Sequence, residues 1–185
     1  MLIPGQLMKR AMKGKLPLLQ AGKALQDEIL NPPMMSFDED TNVLAGETKL
    51  AQNAKKIALM VLGTAAQKYM MALAEQQEVL LNCADIIMEA YQMESAIVRA
   101  KKIASKNGED GAGRYIDMAA VYCNDAIQRV EAKAKNTLAA IAEGDEGRTL
   151  LVALKRFTKN NSPINTIAAR QRIADVLIEA NTYAF

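Results

Sequence analysis

The sequence of 185 residues contains no histidine and no tryptophan, and only 4% of it is aromatic. The missing imidazole excludes Ser-His-Asp and Cys-His nucleophile systems, histidine-containing zinc sites and the Glu-x-x-His pattern of di-iron bundles. Cysteine is scarce as well. Cys83 and Cys123 lie far apart in apolar patterns with no Cys-x-x-Cys, so a four-thiolate metal site and a thioredoxin-like motif are both absent. They read as two buried reduced thiols. Charge of one sign is also lacking: 23 Lys and Arg against 21 Asp and Glu leave +2, and no global field argues for nucleic acid. The apolar stretch 57–67 is bounded by Lys56 and Lys68 and is short against the roughly 20 residues that span a bilayer. Lys9, Arg10, Lys13 and Lys15 interrupt the N-terminal apolar residues, so no secretory signal is recognisable.

Proline is missing where it would break helices. All five prolines lie at positions 4, 17, 32, 33 and 163, and the interval is rich in Ala, Leu, Met, Glu, Gln and Lys, which lose little rotamer freedom in a helix. No period-two run suggests strands. The expected fold is all-α: an antiparallel helical bundle of four-helix type with an additional N-terminal helical segment.

The first segment, 4–30, reads as helical with an interruption around 14–17, and Asn31-Pro32-Pro33 stops it. Residues 34–46 form an acidic connector. A second helix over 47–74 carries Leu50, Ala54, Ile57, Ala58, Val61, Leu62, Ala65, Tyr69 and Leu73 at three- and four-residue steps. A third over 78–105 ends in Lys101, Lys102, Lys106 and Asn107-Gly108, suiting a helix C-terminus. A loop over 108–113 leads to a fourth helix over 114–142. A shorter helix over 148–158 and a last one to about 181 follow, the last with Ser162 as N-cap and Pro163 at its first position. The domain division is 1–33, 34–46 and 47–185.

Candidate chemistry is sparse. Gly108, Gly111 and Gly113 follow no strand and have the spacing of neither phosphate fingerprint, so they read as a helix-to-helix turn. The row Leu80, Ala84, Ile87, Tyr91, Glu94, Val98 places a carboxylate on the apolar side of the third helix. Glu94 is therefore expected to be a buried structural carboxylate paired with Arg99, Arg114 or Arg129. Glu75, Glu78, Asp85 and Glu89 could be imagined as metal ligands but read as a solvated polar face. Between 147 and 172 the chain carries Arg148, Lys155, Arg156, Lys159, Arg170 and Arg172 with no acid. Such an amphipathic basic face could meet an anionic membrane or an acidic protein surface, or simply be solvated.

Several collinear blocks carry a resemblance. The opening Met1-Leu-Ile-Pro-Gly-Gln-Leu-Met-Lys-Arg-Ala-Met-Lys-Gly-Lys-Leu-Pro-Leu-Leu19 resembles the stretch after the catalytic core of acyl-CoA dehydrogenases of the very-long-chain type. Leu50-Ala-Gln-Asn-Ala-Lys-Lys56, the block from Gln67 to Asn82 and the run from Ala84 to Arg99 resemble the extra C-terminal helical domain of those enzymes. The resemblance implies a C-terminal piece of a larger FAD-dependent enzyme of fatty-acid β-oxidation. Residues 1–33 would close its catalytic helical domain, and 47–185 would form the accessory bundle. The family's catalytic glutamate and its Glu-Gly-Thr-like flavin motif lie before an opening of this kind. The expectation is thus no catalytic, cofactor-binding or metal-binding residue here, and FAD only in the parent enzyme. The implied partners are the remainder of the dehydrogenase chain and a second copy in a homodimer, in a bacterial setting that is cytoplasmic or, as the alternative, membrane-peripheral. The competing expectation is a stand-alone helical interaction module using the 147–172 face.

Overall fold

A computed structural model describes residues 2–32, 42–161 and 163–183. Its described residues form α1 (Leu2–Met12), α2 (Leu18–Leu30), α3 (Ala45–Tyr69), a 3-10 turn (Met70–Glu75), α4 (Gln77–Ile141), α5 (Gly144–Thr158) and α6 (Thr166–Ala180), without strands. The all-α expectation holds.

Local chemistry sets most boundaries. Pro4 sits in the first turn of α1, where its missing N–H costs nothing. Gly14 at φ 66° ends α1: its N–H donates to Ala11 O at 3.0 Å and Lys15 N–H to Arg10 O at 2.9 Å, the paired bonds of a Schellman stop. Helix α3 stops earlier than its sequence pattern suggests. Met70 adopts φ 47°, ψ −116°, and 70–75 tighten into a 3-10 turn rather than continuing to residue 74.

The 65 residues of α4 are two helices joined at one residue. Gly108 has φ 75° and ψ 167°, a conformation open essentially to glycine alone, and it divides α4 into arms 77–107 and 109–141. The expected loop over 108–113 is therefore corrected to a single-residue break. Gly111 and Gly113 already belong to the second arm, because a helix needs only one residue outside the α region to change direction. Helix α6 likewise begins at Thr166, where the Asn165 side chain accepts from Ala168 N–H at 3.0 Å. Ser162, expected as that cap, lies outside the described residues.

Helix α3 is the centre of the packing. It touches both arms of α4 and α5, with α2 laid across it. Leu50, Ala54, Ile57, Ala58, Val61, Leu62 and Ala65 are all buried, as their spacing predicts, while Tyr69 and Leu73 pack from the edge. By length and composition Ala45–Glu75 could also cross a membrane. Here it serves as the core helix.

The first arm of α4 buries Val79, Cys83, Ile86, Ala90, Met93, Ile97 and Ala100, alternate steps of four and three. That heptad seam suits helices crossing at a shallow angle, with side chains inserted between those of the facing helix. The second arm contributes Ala119, Cys123, Ala126, Ile127, Val130, Ala134, Leu138 and Ile141. Small alanines bring the backbones close, and the larger Ile57, Ile86, Met93 and Leu138 fill the space between them. Both cysteines are free and buried, as expected. Burial pushes the Cys83 thiol up to about 11 and the Cys123 thiol up to about 12.

The N-terminal segment is not detached from this bundle. Glu28 on α2 accepts from Lys56 Nζ at 2.7 Å, and its backbone carbonyl accepts from Arg156 at 3.0 Å. Leu25 and Ala11 are buried. Of the expected acidic connector, 34–41 lie outside the described residues. Near its end Leu44, at φ 59°, is buried and precedes the first residue of α3, while Asn42 and Gly46 are exposed.

Candidate functional site

Among the described residues, three groups of polar side chains and two clefts bear on what this bundle could do beyond folding. The richest polar group clamps the two arms of α4 together. Arg129 donates to Glu89 Oε1 at 2.6 Å and Oε2 at 2.9 Å, a bidentate pair. The Tyr122 hydroxyl bonds to Glu89 Oε2 at 2.7 Å and also to Gln92. Lys133 Nζ lies 2.7 Å from Asp85. The Arg129 guanidinium holds the Glu89 carboxyl below the ordinary carboxylate range, outweighing the opposing effect of burial. Burial first, and then the neighbouring Glu89 carboxylate, push the Tyr122 hydroxyl up to about 12. Asp85 and Glu89 were expected on a solvated face. They instead point across to the second arm, because α4 turns back on itself at Gly108. A carboxylate neutralised in this way is a weak base, since its proton affinity has been reduced. Among the described residues no three His, Cys, Asp or Glu side chains converge as a metal site would require.

Glu94 is not buried. Its side chain is 50% exposed and its partner is Lys55 on α3, 2.5 Å away, rather than an arginine. The expectation of a buried structural carboxylate is corrected for a geometric reason. The first arm carries two apolar rows side by side, and the inner one runs 79, 83, 86, 90, 93, 97, 100. The row containing Glu94 lies one residue round the helix. Leu80 and Ala84 at its start are buried, but Tyr91 is 70% and Val98 59% exposed.

The six cations of 147–172 do not make one free basic face. Arg172 is bidentate to Asp117 at 2.8 and 2.6 Å, and Arg170 reaches Asp125 at 2.7 Å. Both acids stand on the second arm of α4, so these arginines tie α6 down. Arg156 turns inward to the Glu28 carbonyl and over the Phe157 ring, 4.9 Å from its centroid. Arg148 pairs with Asp145 at 3.1 Å on the surface. Only Lys155 and Lys159 stand exposed with no such contact among the described residues. Charge counted along the sequence overstated the face, because the compensating acids come from a helix some 45 to 55 positions away.

Two clefts remain. One, of about 460 Å³, is lined by Thr64, Gln67, Lys68, Ile141, Glu143 and Glu146. The other, of about 310 Å³, opens between α1, α2, α3 and the first arm; Leu7, Leu18, Leu59, Leu62, Ile87 and Tyr91 wall it, with the Lys55–Glu94 pair at its rim. The second is apolar almost throughout. Periodicity could have found it: Ile87 and Tyr91 were already marked as apolar, but as core.

Comparison with known proteins gives a consistent answer. The family model described as acyl-CoA dehydrogenase, C-terminal domain, matches residues 53–156, which run from α3 through α5. A protein of Bacillus subtilis (strain 168) described as a probable acyl-CoA dehydrogenase is 36% identical over 183 residues, covering 99% of this chain and 30% of that protein. The crystal structure of an acyl-CoA dehydrogenase from Bacillus anthracis, complexed with FAD, superposes with a TM-score of 0.93 at 40% identity. It covers 99% of this chain and 31% of that one. The chain thus spans about a third of the length of the relatives it matches.

Proposed function

We propose, from the premise that this chain belongs to the acyl-CoA dehydrogenase family through its C-terminal domain, that it is the accessory helical domain of a longer FAD-dependent acyl-CoA dehydrogenase. In this reading the bundle performs no chemistry itself. It packs on the catalytic part of the polypeptide and supports a homodimer of the whole enzyme. The observation that carries the reading is the disparity in coverage: nearly all of this chain superposes on the Bacillus anthracis enzyme, yet it accounts for 31% of that chain.

The side chains support it. Removing a proton next to a thioester needs a base near neutrality and within hydrogen-bond reach of its target. Glu89 is locked by Arg129 with its proton affinity lowered, and Glu94 is paired with Lys55 at the surface. The two thiols are buried and held in the protonated form.

The residues present do not fit FAD either. A dinucleotide needs backbone N–H groups or cations presented to its pyrophosphate. The 460 Å³ cleft presents Glu143 and Glu146, and Lys68 there is already bonded to the Ala140 carbonyl at 3.0 Å. The first turn of α5 carries Asp145 and Glu146, which repel phosphate. The apolar cleft offers one lysine, already paired.

The test is to purify the 185-residue protein and record its visible spectrum, with dye reduction by palmitoyl-CoA as the activity readout. The expected result is a colourless, inactive protein, with flavin and activity found only in the longer polypeptide. Stoichiometric flavin bound to this chain alone would overturn the reading.

A further inference from the structure

The first arm of α4 carries a second apolar row that its bundle uses only in part: Leu80 and Ala84 are buried, but Tyr91 and Val98 are exposed. The inner row, from Val79 to Ala100, is consumed by α3 and the second arm. The adjacent row continues through Ile87, Tyr91 and Val98 and opens onto the cleft walled also by Leu7, Leu18, Leu59 and Leu62. A helix with an apolar stripe this wide is one that packs on two sides, since a surface helix normally turns a polar face to water. Contiguous apolar patches on soluble proteins mark interaction sites. The contact between α6 and the second arm of α4 is of another kind. There, among the described residues, α6 is tied to the second arm by Arg170–Asp125 and Arg172–Asp117, and its exposed Ile167 and Ile178 border no apolar cleft like the one above. The one ion pair bordering the apolar cleft, Lys55–Glu94, is neutral as a unit and presents no net charge to a partner.

We propose that this face, with Tyr91 and Val98 exposed beside the partly buried Ile87 and Leu59, is the seat of the catalytic body of the longer polypeptide. The occupant is indicated by length. Some two thirds of each relative lies outside the region this chain matches, which is ample bulk to cover a face of this bundle. The apolar cleft and the exposed Tyr91 and Val98 beside it are a surface whose chemistry suits burial against it. The assignment rests on the accessory-domain reading above and goes beyond it by naming the face.

The buried state of Cys83 and Cys123 supplies the test, because in the 185-residue protein a cysteine introduced at the surface becomes the one readily accessible thiol, and in the longer polypeptide the label at that position is read by peptide mapping. Tyr91→Cys and, as a control on the second arm, Lys135→Cys are made both in the 185-residue protein and in the longer polypeptide. Labelling with a small maleimide is then timed. In the 185-residue protein both variants should label at the rate of a free thiol. In the longer polypeptide Tyr91→Cys should slow by about tenfold or more, as burial protects exchangeable and reactive groups, and Lys135→Cys should not. Equal rates at position 91 in the two forms, or equal slowing at both positions, would overturn the assignment while leaving the accessory-domain reading intact. Slowing at position 91 that already accompanies dimerisation of the 185-residue protein, seen by analytical ultracentrifugation, would give the face to a second copy instead. If no longer polypeptide carries flavin, the accessory-domain reading itself fails, and that result is separate.

Discussion

Arg129 and Glu89 meet through two hydrogen bonds, of 2.6 and 2.9 Å, that join the arms of α4 forty residues apart in the chain. The Glu89 side chain is only 15% exposed, less than any other paired carboxylate among the described residues, so its end of the pair is shielded from water and salt. Glu89→Gln should lower unfolding free energy by about 1.5–3 kcal/mol, the range for a hydrogen bond to a charged group, measured by urea denaturation at pH 7. The pH dependence has a definite sign. Arg129 lowers the Glu89 pKa in the folded state, so the stabilisation is full above the unfolded carboxylate pKa and fades as pH falls through the folded value. The acid limb of the stability curve should therefore be shallower in Glu89→Gln than in the parent. Identical acid limbs would show that Glu89 contributes nothing to it.

Glycine substitutions in α4 should have opposite signs five residues apart. Gly108→Ala meets no atom within 4 Å, yet it forces a side chain into φ 75°, which costs about 1–3 kcal/mol. Gly113→Ala is equally unobstructed and lies within the helical second arm, where it should add about 0.5–1 kcal/mol. Thermal melts of the two variants decide it. A stabilised Gly108→Ala would mean that the arms are not separated there.

The two apolar rows of the first arm can be told apart by truncation. Met93 is fully buried, and Met93→Ala should cost about 2–5 kcal/mol. Tyr91, two positions away, is 70% exposed, and Tyr91→Ala should stay within about 0.5 kcal/mol of the parent. Glu94→Gln removes only an exposed ion pair with Lys55 and should cost about 1 kcal/mol or less. A loss from Glu94→Gln as large as that from Met93→Ala would restore the buried carboxylate that the structure rejects.

Helix α6 should be the most salt-sensitive element. Among its residues only Ala169 is buried, and its hold on α4 depends heavily on Arg170–Asp125 and Arg172–Asp117. At 15 residues it is also marginal as an isolated helix in water. Amide exchange should show 166–180 losing protection at about 1 M salt, where screening acts within a few ångströms, while 50–65 stay protected. The same selective loss is expected in Arg172→Ala at low salt. Uniform protection across both segments under these conditions would contradict an electrostatic attachment.

Much of the molecule could be read from residue order alone, for a local reason. Helix formation and helix stops depend on neighbours within a few positions: Gly14, Asn107-Gly108 and the proline-free interval place the breaks and the long helices with no knowledge of the fold. The collinear blocks that resemble acyl-CoA dehydrogenases are likewise one-dimensional, and the family comparisons agree with them. What needed three dimensions was the choice between faces. Periodicity fixes the angles between Ile87, Tyr91, Glu94 and Met93 on one helix, but not which angle meets a neighbour; α3 and the second arm took the row containing Met93 and left Tyr91 and Glu94 outside. The same holds for charge. Arg170 and Arg172 look unopposed along the chain, and only the return of α4 at Gly108 brings Asp125 and Asp117 beneath them.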